Sequence, residues 1–321
     1  MLESDAGKCV PPAVPVRWAQ ALRSLRSWVD SSAVEDPGAS SRRVAWLRVI
    51  PFIALHLACL GIFWVGTSTL ATVTAILLYV IRMFAITGFY HRYFSHRSFR
   101  TSRAAQFLFA VIGAMSVQRG PLWWAAHHRT HHLHADTAAD PHSPQLRGFF
   151  WSHVGWFLTP AGFQTDRKRI PDLLRYPELR WLDRFDVLAP VTLALSLFGI
   201  GTWLNRTQPQ LGTSGAQMVI WGFCLSTVAL FHATVTINSL AHQFGTRRFE
   251  TRDASRNNFW LALLTFGEGW HNNHHHFPAS ARQGFRWWEI DLTYYGLCAL
   301  QALGVVSHLR RVPARLRQRT R

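Results

Sequence analysis

Residues 70–96 read LATVTAILLYVIRMFAITGFYHRYFSH. From Leu70 to Tyr90 the run is apolar apart from Arg82, and it approaches the roughly 20 residues that a helix needs to cross a bilayer. His91 and His96 follow directly at its end. A membrane span that runs straight into paired imidazoles places metal-ligating groups at a bilayer surface. The charge of Arg82 is expected to face protein, water or the interface rather than lipid.

Three further segments match this length and polarity: Trp46 to Val65, Val187 to Leu204, and Ala216 to Ile237. Composition agrees, since 49% of the 321 residues are hydrophobic and only 16% charged, against about 25% charged in a soluble domain. The net charge of +17 raises nucleic-acid binding as an option. A polynucleotide site needs no long apolar stretches, however, whereas a membrane protein with basic cytoplasmic loops explains both features, so no nucleic-acid partner is expected. The segment from Gly66 to Thr69 carries no charge and that from Asn205 to Gly215 only Arg206, while nearly all other arginines lie in the N-terminal tail, between His91 and Asp186 and in the C-terminal part. Both termini and the long middle loop are therefore expected in the cytoplasm. The expected fold is all-α and integral to the membrane, with four transmembrane helices in two hairpins under a cytoplasmic helical cap. A bacterial inner membrane is preferred to the endoplasmic reticulum as its setting.

Three regions follow along the chain: a tail at 1–45, a membrane domain at 46–306 and a basic tail at 307–321. The first is rich in Ser, Pro, Ala and Arg and is expected to be largely disordered. It lacks the apolar core of a signal peptide, and Glu3, Asp5, Glu35 and Asp36 argue against a transit peptide. Within it Trp18, Leu22, Leu25 and Val29 recur at helical spacing, with Arg17, Arg23 and Arg26 mainly to the side, as in a helix lying on an anionic membrane surface. The stretch Ala104 to Val117 is too short to span and reads as an in-plane or buried helix, as do Leu261 to Phe266 and Tyr294 to Val306. Cys9, Cys59, Cys224 and Cys298 form no C-x-x-C pair, so no disulfide frame, zinc knuckle or iron–sulfur site is read from them.

Histidines cluster three times: at His91 and His96, at His128, His131 and His132, and at His271, His274 and His275. By the topology above all three clusters meet the cytoplasmic side. Positions i, i+3 and i+4 share one helix face, so each of the last two clusters is expected to aim three imidazoles at one centre. His91 and His96 lie about 140° apart on an α-helix and are expected to serve two neighbouring metals. Eight ligands suit two ions better than one. Imidazole accepts Zn, Cu, Fe or Ni, so the ligands leave the metal open, and a closed structural zinc site would usually include Cys. Of the Glu-x-x-His pairs of soluble di-iron bundles, only Glu268 with His271 has the spacing. Isolated residues such as His56 and His308 read as packing or surface groups, and His127, His134, His142 and His276 border the clusters without a role.

The clusters sit in longer motifs: GFYHRYFSH at 88–96, WWAAHHRTHH at 123–132, DPHSP at 140–144, GFFWSHVGW at 148–156, NSLAH at 238–242 and GEGWHNNHHHFP at 267–278. From about Gly88 to Tyr295 the chain resembles the membrane fatty acid desaturases, the family of stearoyl-CoA desaturases and of bacterial and plant delta-9 acyl-lipid desaturases. The resemblance implies a mushroom-like fold with a narrow bent tunnel for an acyl chain beneath two irons. It also adds His242 as a ninth histidine and Asn238, one turn earlier, as a ligand acting through water. Iron cycling between Fe2+ and Fe3+, O2 as co-substrate, and a cis double bond at delta-9 of a long acyl chain are likewise what it implies. Animal stearoyl-CoA desaturases carry Arg-Asp before the second box and Arg-Lys after the Gly-Trp, where this chain has Ala126-His127 and Thr159-Pro160. An acyl-CoA and an acyl-lipid both stay open as substrate, with Arg147, Arg167, Lys168 and Arg169 nearby as substitute cations.

The chain shows no G-x-G-x-x-G, no Cys cluster and no fused haem domain. Electrons are therefore expected from a ferredoxin, rubredoxin or cytochrome b5 with its reductase, docking on the basic cap. The rival readings are a fatty acyl hydroxylase on the same scaffold and a non-enzymatic membrane protein with structural metals.

Overall fold

The computed structural model describes residues 16–33 and 43–314. Much of the expected disordered tail, with Cys9, Glu3, Asp5, Glu35 and Asp36, lies outside the described residues, as do the end of the basic tail at 315–321 and the side chain of Arg17. In a hydrocarbon layer every backbone N–H and C=O must pair within its own segment, which makes the apolar stretches helical. In chain order the helices are α1 (Val16–Arg26), α2 (Trp46–Val65), α3 (Thr69–Ser95), α4 (Arg103–Ala114), α5 (Pro121–His134) and α6 (Pro144–His153). They continue as α7 (Pro177–Arg184), α8 (Leu188–Thr207), α9 (Gly215–Ser239), α10 (Phe259–Leu264), α11 (His271–His276) and α12 (Leu292–Ala302). Of these α2, α3, α8 and α9 are long and apolar enough to cross a membrane. The three short apolar stretches form α4, α10 and α12 within a residue or a few of their expected bounds. Arg100–Thr101 and Val306–Ser307 pair antiparallel.

The connections 66–68 and 208–214 meet at one end of the helix bundle. Thr213 Oγ1 donates to Ser68 Oγ at 2.8 Å, Gln217 Nε2 to the Val65 carbonyl and Trp221 Nε1 to the Gly66 carbonyl, both at 2.9 Å. Ser68 caps α3 by accepting from the Ala71 amide, which satisfies one of the donors that a helix start leaves unpaired. Helix α3 packs along α9, and α9 along α8. Arg82 faces protein, as expected: it is 1% exposed and donates to Ser226 and Thr227 of α9 and to the Met115 carbonyl.

Helix α3 is wound in two ways. Thr69–Phe84 is α-helical, and Ala85–Ser95 continues as a π-helix, carrying the element past Tyr90 and through His91 to its C-cap, His96. Every residue of the π segment is buried. Helix α4 crosses it at Gly113, where a Cβ would come within 2.0 Å of the Tyr90 ring, so no larger residue fits this approach. Tyr90 Oη donates to the Ala110 and Arg119 carbonyls, and Phe89 stacks on Phe109 with centroids 3.8 Å apart. Leu173, Leu179, Leu182 and Leu297 complete the core around the segment. Each such buried side chain contributes about 1.5–3 kcal/mol of hydrophobic stabilisation.

Candidate metal centre

The π winding decides where the first two histidines go. Its i→i+5 pattern, continued by the His96 amide bonding the His91 carbonyl at 3.2 Å, stacks residues five apart instead of splaying them. The two Nε2 atoms consequently face each other at 3.1 Å. The expectation that His91 and His96 serve two metals is corrected: both belong to one group, because the helix beneath them is π and not α.

Helices α5 and α11 correct a second expectation. Each splits its three histidines between two centres, since i and i+4 share one side of a helix while i+3 turns away from i+4 by about 100°. His128 and His132 of α5 join His91, His96 and His274, with all donor nitrogens within 4.8 Å of one another. His131 turns the other way and joins His271 and His275 of α11 and His242, again within 4.8 Å. Facing Nε2 pairs lie 2.7 Å apart for His96 and His128, 2.9 Å for His132 and His274, and 3.0 Å for His91 with His274 and for His242 with His271. Asn238, in the last turn of α9, lines a small pocket that His91, His128, His131 and His271 also border.

Four carboxylates orient four of these rings from behind. His91 Nδ1 pairs with Glu268, His131 Nδ1 with Asp140 at 3.0 Å, and His242 and His275 Nδ1 with Asp136 and Asp253, both at 2.8 Å. A carboxylate that accepts the Nδ1–H leaves the Nε2 lone pair pointing into the centre. The carboxylates are themselves held. Asp136 accepts from the Ala254 amide and Ser143 Oγ, Asp140 from the Asp136 and His142 amides, and Glu268 from Arg92 and Gln283. Burial alone would raise Asp136, but the hydrogen bond and charge of His242 bring it to about 2.

Burial also disfavours the charged form of several of the rings. It pushes His96, His128, His132, His271 and His274 well below the usual imidazole range, and neighbouring rings add to the shift. His275 falls to about 4 in spite of Asp253. Imidazole nitrogens that converge within 4.8 Å of one another, on rings whose charged form burial disfavours, make a site suited to a cation between them. The buried His275 Nε2 has no partner among the described residues, which is costly unless an ion or other group meets it. The arrangement therefore fits two metal ions with five and four imidazoles and no thiolate. A structural zinc site closes at four ligands, so the larger group suits a redox metal better.

The carboxylates escaped the sequence reading, although Asp140 opens DPHSP and Glu268 lies inside GEGW. Their roles depend on contacts over as many as 176 to 177 positions, which spacing does not reveal. The bordering histidines stay outside both groups. His127 Nε2 donates to the Gln164 carbonyl at 2.8 Å, His142 stacks on His131, and His276 stacks on Phe249. His56 packs within the bundle, in a row with His232 and His153 whose ring nitrogens lie 3.1 Å apart.

An apolar cavity of about 280 Å³ reaches this centre. Phe52, Leu55, Trp123, Val228 and Phe231 line it, His128 and Asn238 border it on the histidine side, and Ser27, Trp28, Arg48 and Arg119 border it elsewhere. Trp124 stacks on His128 with centroids 5.0 Å apart, so the inner wall of the cavity and a ring of the centre are one packed unit.

With this geometry in hand, comparison with known proteins is specific. The sequence profile of the fatty acid desaturases, described as "Fatty acid desaturase", matches residues 67–302. The sn-2 palmitoyl-lipid 9-desaturase of Nostoc sp. (strain 36) is 36% identical over 86% of this chain and 93% of its own length. The sn-1 stearoyl-lipid 9-desaturase of Synechocystis sp. is 38% identical over 90% and 87%, and an acyl-CoA 5-desaturase of Anemone leveillei is 34% identical over 87% and 86%. Every histidine of the two groups falls inside the matched region, and the chain belongs to the fatty acid desaturase family.

Proposed function

We propose that this protein is an O2-dependent desaturase that places a cis double bond, at delta-9, in a long acyl chain carried by a membrane lipid or by CoA. His91, His96, His128, His132 and His274 would hold one iron, and His131, His242, His271 and His275, with Asn238 through a water, the other. The observation that carries the reading is the apolar cavity that ends against His128 and Asn238. When bound, the iron pair supplies the activation of O2 and the oxidising power. The acyl chain loses one hydrogen from each of two adjacent methylenes, and O2 with two electrons and two protons becomes two waters.

The chain's own residues do the positioning. A saturated acyl chain has no polar handle near the reacting carbons, so regioselectivity rests on how deep the cavity lets it run. Trp123, Trp124 and Phe231 exclude water along that path. The four carboxylates hold ring tautomers and orientations, as the outer partners of metal-bound histidines generally do.

The carrier we favour is a lipid. Ala126 is buried, Thr159 is buried and donates to the Trp156 carbonyl, and His127 is engaged with Gln164, so these positions present no cation for a CoA phosphate. The 9-desaturases of Nostoc and Synechocystis are named for lipid-borne substrates, which supports the same carrier and the delta-9 position. Electrons would come from a ferredoxin, rubredoxin or cytochrome b5 with its reductase on the arginine-rich side. Two hairpins with both termini and the histidine-bearing cap in the cytoplasm complete the proposal.

Expression in a host without desaturases tests it, with the position and carrier of any new double bond read by mass spectrometry. A delta-9 alkene on a glycerolipid is the expected product, and His131→Ala is expected to abolish it while leaving membrane insertion intact. A hydroxylated chain, or an active His131→Ala variant, would sink the reading.

A further inference from the structure

We propose that α1 is a lipid-binding element that lies in the headgroup layer of an anionic bilayer, beside the rim of the acyl cavity. The claim rests on α2 being a membrane span and not on the reaction. Trp18, Leu22 and Leu25 of α1 and Val29 just beyond it follow the i, i+4, i+7, i+11 pattern of one helix face. They are 66%, 62%, 43% and 55% exposed, so the described residues leave the whole stripe uncovered.

Two observations select lipid as the occupant. The stripe continues an apolar surface that must already face the bilayer. Helix α1 packs on α2, Trp28 Nε1 donates to the Leu47 carbonyl at 2.9 Å, and the neighbouring Trp46, Leu47 and Ile50 at the start of that span are exposed. Charge agrees as well: Arg23 and Arg26 lie to one side of the stripe, Arg26 also pairing with Asp30 at 3.3 Å, and cations flanking such a face favour an anionic headgroup layer. Tryptophan at both ends of the contact, Trp18 and Trp46, suits the boundary between headgroups and chains.

The C-terminal end of the element is fastened to the body. Asp30 pairs with Arg184 at 2.8 Å, and Ser31 Oγ donates to the Asp183 carbonyl at 2.8 Å. Between stripe and fastening, Ser27 and Trp28 line the acyl cavity. A lipid held against the stripe is thereby placed at the cavity rim, so an acyl chain has to leave the bilayer over only a short path.

The test uses the full chain in nanodiscs containing phosphatidylglycerol, with its cysteines replaced and a nitroxide at Leu22→Cys or, on the exposed arginine side, at Arg23→Cys. Collision rates with O2, which concentrates in lipid, and with a water-soluble nickel chelate give the depth of each label. Position 22 is expected to favour O2 and position 23 the chelate. Equal chelate access at both positions would overturn the proposal, and so would protection of position 22 from both reagents, which means that protein covers the stripe. In a second measurement, Leu22→Gln with Leu25→Gln is expected to raise KM for lipid-borne substrate several-fold with kcat held. An unchanged KM would remove the role in substrate capture. The depth measurement needs no catalysis, so its failure is distinct from failure of the desaturase reading.

Discussion

Glu268 holds the first ring of the centre in place: its carboxylate accepts the Nδ1–H of His91 while Arg92 and Gln283 hold its two oxygens. Arg92 is fully buried and shares its charge between Glu268 and Asp291. Glu268→Gln keeps the shape but removes the charge that fixes the tautomer, and losing such an outer partner typically costs 10–100-fold in metal affinity or activity. The variant is expected to lose metal and product together, measured by elemental analysis and lipid profiling on the same preparation. Unaltered metal content would mean that Glu268 serves only the fold. Six of the rings predict a pH dependence. Burial holds His96, His128, His132, His271, His274 and His275 below the unfolded value of about 6.5, so below that pH the unfolded chain binds more protons than the folded one. Stability is then full above about pH 6.5 and falls with acidification towards the value of about 4 that burial gives His275. Melting curves of the metal-free protein in detergent at pH 7, 6 and 5 should show a falling Tm, and a Tm that rises on acidification would contradict the neutral-ring picture.

At the scale of single elements, α5 carries His128, His131 and His132 and depends on Asp183 for its start. Pro121 at the first position needs no partner for its nitrogen, and the Leu122 and Trp123 amides both donate to Asp183 Oδ1 at 2.9 Å. Burial raises Asp183 to about 6, against the lowering effect of those amides, so its charge is a cost near neutral pH while its acceptor is a gain. Asp183→Asn keeps the acceptor and is expected to hold or raise Tm. Asp183→Ala strands two amides and is expected to cost about 1–3 kcal/mol in thermal melts. Equal melts for the two variants would show that the cap is idle. The four spans and the short helices α4, α10 and α12 were legible because an apolar run of given length has few other uses. The winding of α3 was not, because Ala85 to Ser95 is buried on every side and has no polar face from which a period can be read. That one hidden property reassigns His96. The 2:1 division of the α5 and α11 clusters was hidden for a related reason, since spacing gives the face of a helix but not how many centres lie opposite it.

At the scale of the whole molecule, charge and geometry combine. The links 66–68 and 208–214 are stitched to each other, so α2, α3, α8 and α9 share one end, and the histidines lie where α3 and α9 finish. One bilayer then has to separate Gln210 from Lys168, both of them exposed. Residues 91–186 hold most of the loop arginines, whereas the two links hold none and Arg206 lies just ahead of the second, at the end of α8. Positive charge resists export, so the histidine side is expected in the cytoplasm. The test is cysteine labelling in intact cells of the cysteine-free protein with Gln210→Cys or Lys168→Cys. A membrane-impermeant maleimide should reach position 210 directly and position 168 only after permeabilisation. Labelling of position 168 from outside would invert the topology. The metal centre would then face away from any cytoplasmic electron donor, and the proposed electron supply would fail while the geometry of the two histidine groups stood.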